Sequence, residues 1–388
     1  MLDKTHPQKD AAHQPPASPA PSLDFASPQF LPDRRVVFRV FAPKASEVTI
    51  VGDWVSHGLG ADGPLQKDNQ GIWSFTAGPL APDFYTYLIT IDGVPTIDPK
   101  NPTIKHSNDR LENIFVVPGE NMAFADTRPV PHGDVRIVWY NSQTTQTARR
   151  MHIYTPPGYD TSGERYPVLY LLHGGGEDDA AWSTIGRAGF IMDNLLAAHA
   201  VHPMIIVMPN GRVELPGLNL QGSPIDWKSP ESVARRMESI VRQHDLFIDD
   251  LLTGILPLVE NTYRVLPERE MRAIAGLSMG GAETLRTGPS HLDLFAYFGV
   301  FSIGLPSVQF DLETRNARFF ANPTQSNAMV KLFYLAAGNN DPLIGEGARK
   351  LSEALTQHGI RHEFHESEGG HTWINWRRYF YDFAKRLF

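Results

Sequence analysis

The segment with the most chemistry in it is Arg272-Ala273-Ile274-Ala275-Gly276-Leu277-Ser278-Met279-Gly280-Gly281. An apolar strand run ends in a serine flanked by glycines two residues before and two after it, and a helical pattern follows. A tight strand-to-helix turn brings backbone so close on both sides that side chains at those positions would collide. The turn lifts the serine hydroxyl above the sheet edge, which makes Ser278 a candidate nucleophile and the Met279 N–H a candidate oxyanion donor.

A serine needs a base, and the base needs a carboxylate to hold and stabilise it. His371 follows Glu368-Gly369-Gly370 in a glycine-rich turn just before the last helical segment. Asp341 ends the run Leu332-Phe333-Tyr334-Leu335-Ala336-Ala337-Gly338-Asn339-Asn340, where a late strand would leave the sheet. The chain order Ser278, Asp341, His371 is that of the α/β-hydrolase layout. Glu366 and Glu368 are rival carboxylates, but they lie on the histidine's own approach strand. Upstream, His173-Gly174-Gly175-Gly176 follows the apolar run Val168 to Leu172, so Gly175 or Gly176 is expected to supply the second oxyanion amide, with His173 holding the loop. Trp182, Trp227 and Trp373 are candidate substrate-binding residues, and core packing is the competing expectation for each. The histidines are scattered, without H-E-x-x-H spacing, so no metal is expected, and serine chemistry needs no cofactor.

The elements that must position these groups follow from the pattern of the whole chain. Its 388 residues suffice for a full catalytic core and an accessory unit. From 134 to 388, strand candidates at 151–155, 166–172, 204–209, 272–277, 296–301, 331–337 and 361–366 alternate with helical candidates near 189–200, 247–263, 279–288, 345–358 and 373–386. This alternation predicts an α/β fold, a mainly parallel sheet with helices on both faces. From 33 to 120, short β-rich runs between turn formers predict a small immunoglobulin-like β-sandwich. Residues 1–32, with seven prolines, are expected to be a disordered lead, and 121–133 a linker. The loops at 177–190 and 211–245 are expected to shape the pocket.

Composition narrows the partners. A net charge of −8 without a dense Lys/Arg stripe argues against nucleic acid. No run of about 18 apolar residues is present, so no membrane-spanning helix is expected. The absence of cysteine excludes a thiol nucleophile and disulfides. No heptad or paired edge strand fixes an oligomeric state.

Together, Leu172-His173-Gly174-Gly175-Gly176-Glu177, Gly276 to Gly281, Gly338-Asn339-Asn340-Asp341 and Gly369-Gly370-His371-Thr372-Trp373 resemble the bacterial feruloyl esterase and esterase-D group of carbohydrate esterase family one. The resemblance runs from about Gly133 to the end. The front segment, with Val37-Phe38-Arg39-Val40-Phe41-Ala42-Pro43, Gly52-Asp53-Trp54 and Asp98-Pro99-Lys100-Asn101-Pro102, resembles the glycogen-binding-type early-set β-sandwich. The likeness implies a serine esterase acting on feruloyl or other hydroxycinnamoyl esters of plant arabinoxylan, the substrate being a small or polysaccharide-linked ester. Acetylxylan and enterochelin-type siderophore esters are the alternatives within the same architecture; a non-catalytic carbohydrate-binding protein is the alternative outside it. A polymeric plant substrate implies a secreted or periplasmic protein, although no signal peptide is visible in the chain.

Overall fold

A computed structural model describes residues 24–54, 61–105, 107, 111–213, 229–303, 312–341 and 343–388. The front of the chain forms two facing antiparallel sheets. One carries β1 (Gln29–Phe30), β2 (Val36–Phe41), β5 (Gln66–Lys67) and β6 (Ile72–Ala77) in the order β1-β2-β6-β5. The other has β3 (Val48–Gly52), β4 (Ala61–Pro64), β7 (Asp83–Ile91), β8 (Val94–Thr96), β9 (Ile104–Lys105) and β10 (Glu112–Val117). Its order is β4-β3-β7-β10-β9, with β8 hairpinned onto β7 through Asp92-Gly93. Alternating residues of both sheets meet in an apolar core of Val36, Phe38, Val40, Ile50, Tyr87, Ile89 and Phe115. Trp54 stacks on Phe38 at 5.2 Å and Trp73 is buried with its Nε1 donating to the Ala42 carbonyl, so both indoles are committed to the sandwich.

The expected lead over 1–32 is too long. Residues 24–32 are packed on the sandwich: Ser27 is buried and donates to Asp98 at 2.5 Å, and β1 pairs with β2. Prolines suggested disorder, but a two-residue edge strand and one buried hydroxyl tolerate them. The expected linker at 121–133 is likewise anchored. Met122 and Ala125 join the second domain's core, and Asn194 Nδ2 donates to the carbonyls of Ala123, Phe124 and Asp126.

The rest of the chain builds an eight-stranded sheet in the order β11-β12-β14-β13-β15-β16-β17-β18. Its strands are β11 (Asp134–Ser142), β12 (Thr147–Thr155), β13 (Val168–Leu172), β14 (Ile205–Pro209), β15 (Arg272–Leu277), β16 (Tyr297–Phe301), β17 (Leu332–Gly338) and β18 (Glu363–Ser367). From β14 to β18 the pairing is parallel, while β11 and β12 run antiparallel at one edge. Central strands β13 and β15 are buried along their whole length, as their unbroken apolar and small sequences require. Helices cover both faces: α1 (Ala188–Ala197), α2 (Pro230–Asp250), α3 (Leu256–Thr262), α4 (Met279–Thr287), α5 (Ala317–Ala321), α6 (Pro323–Met329), α7 (Gly345–Gln357) and α8 (Trp373–Ala384).

One expectation is revised and one strand is added. Residues 230–245 are helix rather than loop. α2 starts under a Ser229 cap and continues through a π turn at Leu251–Ile255 into α3, where Pro257 sits in the first turn without breaking the path. Strand β11 was not foreseen at all.

Candidate active site

Strand β15 delivers Ser278 into a backbone conformation of φ 51° and ψ −114°, outside the regions an L-residue ordinarily occupies. The surrounding glycines make this possible. A Cβ on Gly276 would lie 2.4 Å from the Gly280 backbone, and one on Gly280 would lie 2.7 Å from the His173 carbonyl. The turn is fixed by Ser278 N–H to the Phe301 carbonyl (2.8 Å) and Gly280 N–H to the His173 carbonyl (3.1 Å). Met279 opens α4, and an N–H in the first turn of a helix has no intrahelical acceptor, which leaves it available beside the serine.

His371 Nε2 lies 3.0 Å from Ser278 Oγ, and His371 Nδ1 lies 2.8 Å from Asp341 Oδ2. The carboxylate is buried, and its other oxygen accepts from Leu343 N–H at 3.0 Å. The loops bearing Asp341 and His371 are stitched together. Asn339 N–H donates to Ser367 and Asn340 N–H to Gly369, and any Cβ on Gly338 would strike the Gly369 carbonyl at 2.3 Å. Three residues distant in sequence thus converge in a continuous Asp–His–Ser hydrogen-bonded line. The rival carboxylates stay outside it: Glu366 pairs with Arg349 at 2.5 Å, and Glu368 is exposed.

Residues 142–387 match the family described as Putative esterase, and residues 26–102 match carbohydrate-binding module 48 (isoamylase N-terminal domain). The chain belongs to the putative esterase family.

Among similar proteins is the endo-1,4-beta-xylanase/feruloyl esterase of Xylanibacter ruminicola, 31% identical over 399 residues, covering 100% of this chain and 49% of that protein. This esterase-family chain therefore spans about half the length of that relative. The CE1 ferulic acid esterase of Anaeromyces mucronatus, solved with ferulic acid, is 25% identical with a TM-score of 0.56, covering 70% of this chain and 96% of the other. The enterobactin esterase of Shigella flexneri, 16% identical with a TM-score of 0.63, covers 91% of this chain and 94% of that one and shares the fold.

Around Ser278, the glycine loop is held from below. His173 uses both ring nitrogens on backbone: Nδ1 donates to the Gly174 carbonyl at 2.8 Å, and Nε2 accepts from Gly211 N–H at 2.9 Å. Gly176 has φ +81°, a conformation that favours glycine, and Gly175 is exposed beside it. Neither Trp182 nor Trp373 forms a substrate wall. Trp182 is 1% and Trp373 3% exposed; they meet edge to face at 5.0 Å, and the Trp182 indole donates to the Leu172 carbonyl. Both belong to the core under the loop because two large rings this close to the sheet bury more apolar surface there than they could at a wet cleft. Trp227 lies outside the described residues. Trp376 packs edge to face on the His371 ring at 5.0 Å.

Two buried acidic residues, one after the glycine loop and one after the serine turn, carried no expectation in the sequence. Glu177, directly after the glycines, accepts from the Trp373 indole at 2.7 Å and from Gly174 N–H at 3.4 Å. Glu283, one turn into α4, is buried with neither carboxylate oxygen hydrogen-bonded among the described residues, and burial pushes its carboxyl well above the ordinary range. An acidic residue after a glycine triplet was the available signal for Glu177; nothing in the sequence marks Glu283. No group of three or more His, Cys, Asp or Glu side chains able to hold a metal occurs among the described residues, and no helix there is long and apolar enough to cross a membrane.

Proposed function

We propose that this chain is a serine esterase that releases feruloyl and related hydroxycinnamoyl groups from plant cell-wall arabinoxylan. The observation that carries the reading is the Asp341–His371–Ser278 line, with contacts of 2.8 and 3.0 Å ending on a strained serine at a strand-to-helix turn. His371 accepts the Ser278 proton as Oγ attacks the ester carbonyl, and Asp341 stabilises the resulting imidazolium. Met279 N–H and an amide of the 174–176 loop receive the developing oxyanion. The imidazolium then protonates the leaving alcohol. Water, deprotonated by the same imidazole, cleaves the acyl-enzyme and restores the serine.

The feruloyl preference is supported by relatives whose names carry that activity, one aligned along the whole of this chain. A cell-wall polymer as substrate implies action outside the cytoplasm. Specificity constants on methyl ferulate, acetylated xylan and a catechol siderophore ester test the reading. Methyl ferulate is expected to rank first, and a higher constant on either competitor overturns the substrate assignment. Ser278→Ala is expected to keep the circular dichroism spectrum and lose turnover by orders of magnitude.

A further inference from the structure

The glycine loop is reached by a charge from the other half of the molecule. Lys105 closes strand β9 of the sandwich, and its register partner across the ladder is Glu112 of β10, so the two side chains share one face. Lys105 Nζ lies 3.0 Å from Glu112 Oε2 and 3.1 Å from Glu177 Oε1. All three groups are buried, each 7% exposed. Glu177 Oε1 also accepts the Trp373 indole N–H at 2.7 Å, and Oε2 faces Gly174 N–H at 3.4 Å. Gly174 begins the glycine loop, and Trp373 stands two residues after His371. One carboxylate therefore ties the loop beside Ser278 to the turn that carries the base, and its counter-charge is supplied by the sandwich.

A buried carboxylate holds its place only while paired and hydrogen-bonded. Without the ammonium, Glu177 Oε1 loses the ion pair that helps hold it against the Trp373 indole. Movement of Glu177 drags on Gly174 and releases Trp373. The two carboxylates hold the lysine charged, against the opposing effect of its burial.

Resting on the esterase reading above, we propose that Lys105 is a positioning residue: through Glu177 it sets the geometry of the glycine loop relative to Ser278 and His371. The front sandwich is by this account a working part of the active site rather than an appended carbohydrate binder. A second contact runs the same way. Arg377, fully buried on α8 immediately beyond the base, pairs with Asp83 of β7 at 2.5 Å and donates to the Phe84 carbonyl at 2.9 Å.

The test uses the full chain and four proteins: wild type, Lys105→Met, Glu177→Gln and the double variant, assayed on methyl ferulate well below each melting temperature. Deleting one oxyanion donor costs about 100- to 1,000-fold, and loosening the loop that carries one should cost less, so Lys105→Met is expected to lower kcat about 10- to 100-fold with KM within about threefold. The rate at which a fluorophosphonate modifies Ser278 should fall in parallel, because phosphonylation uses the same oxyanion site. If Lys105 acts through Glu177, the losses do not multiply, and the double variant is no slower than about threefold below the worse single one.

A Lys105→Met protein with a lowered melting temperature but wild-type kcat and labelling rate would reduce Lys105 to a structural role and overturn the proposal, as would losses that multiply. If Lys105→Met does not fold, Glu177→Leu decides, since it removes both the acceptor for Trp373 and the contact with Gly174 N–H; unchanged kcat there overturns the proposal. A wild-type chain that neither labels nor cleaves any ester would instead refute the esterase reading itself, so the two failures are distinguishable.

Discussion

Replacing Asp341 by Asn tests the proposed acid through a consequence the structure makes unusually definite. The two carboxylate oxygens have different duties: Oδ1 accepts from Leu343 N–H, while Oδ2 faces His371 Nδ1. In Asp341→Asn the side-chain carbonyl must turn to Leu343, because an NH₂ group there would meet a donor. The amide nitrogen then points at Nδ1 and forces that nitrogen to be the acceptor, placing the ring proton on Nε2. The nitrogen 3.0 Å from Ser278 Oγ can no longer take a proton. A tautomer error of this kind costs about 10,000-fold in kcat, or about 5.5 kcal/mol in barrier height, with little change in KM. Initial rates on methyl ferulate, with folding checked by circular dichroism, measure it. Glu366→Gln and Glu368→Gln serve as controls and should stay within about twofold of wild type, since neither side chain approaches the histidine. Activity of Asp341→Asn within tenfold of wild type in folded protein would refute the reasoning, and a large loss at Glu366 or Glu368 would name a different acid.

Two further outcomes are expected. Asp83→Asn leaves Arg377 fully buried without its counter-ion, which costs about 3–5 kcal/mol and should lower Tm by at least about 5 °C; an unchanged melt would show that the contact between the two halves of the chain contributes nothing. His244 is buried on α2, and burial, reinforced by the Arg286 and Arg315 charges against Asp245, pushes its pKa down to about 4. The unfolded chain binds this proton near 6.5 and the folded chain does not until about 4, so stability is full above 6.5 and falls as pH drops through that window, by about 3 kcal/mol in all. Denaturant midpoints at pH 7 and pH 4.5 should therefore differ less in His244→Phe than in wild type, and equal differences would contradict the assignment.

The turn at Ser278 and the loops that bring Asp341 and His371 to it were legible in the sequence because each depends on local necessity. Gly276 and Gly280 are required by backbone contact at the turn, Gly338 by the approach of Gly369, and strands β13 and β15 by unbroken burial. What the sequence hid depends on distant partners. Lys105 and Glu177, 72 positions apart, read separately as surface charges until the fold brings them to 3.1 Å. Arg377 and Asp83 are concealed in the same way. Trp182 and Trp373 were open to either reading, because an indole near a catalytic loop has the same sequence signature above the loop as below it. Strand β11 was missed because it lies at the sheet edge, where Ile137 and Trp139 remain exposed and its pattern carries no buried run. The helix at 230–245 is rich in charge, and its low overall apolar content let the segment read as loop although its apolar residues keep a helical period.

The central claim is that Ser278 is a nucleophile activated by His371. Intact and peptide mass spectrometry of the folded chain after treatment with a fluorophosphonate ester tests it most directly. The account predicts one adduct per chain, located on Ser278, absent in Ser278→Ala and formed orders of magnitude more slowly in His371→Ala. Labelling elsewhere, or none in a chain that still hydrolyses methyl ferulate, would contradict it.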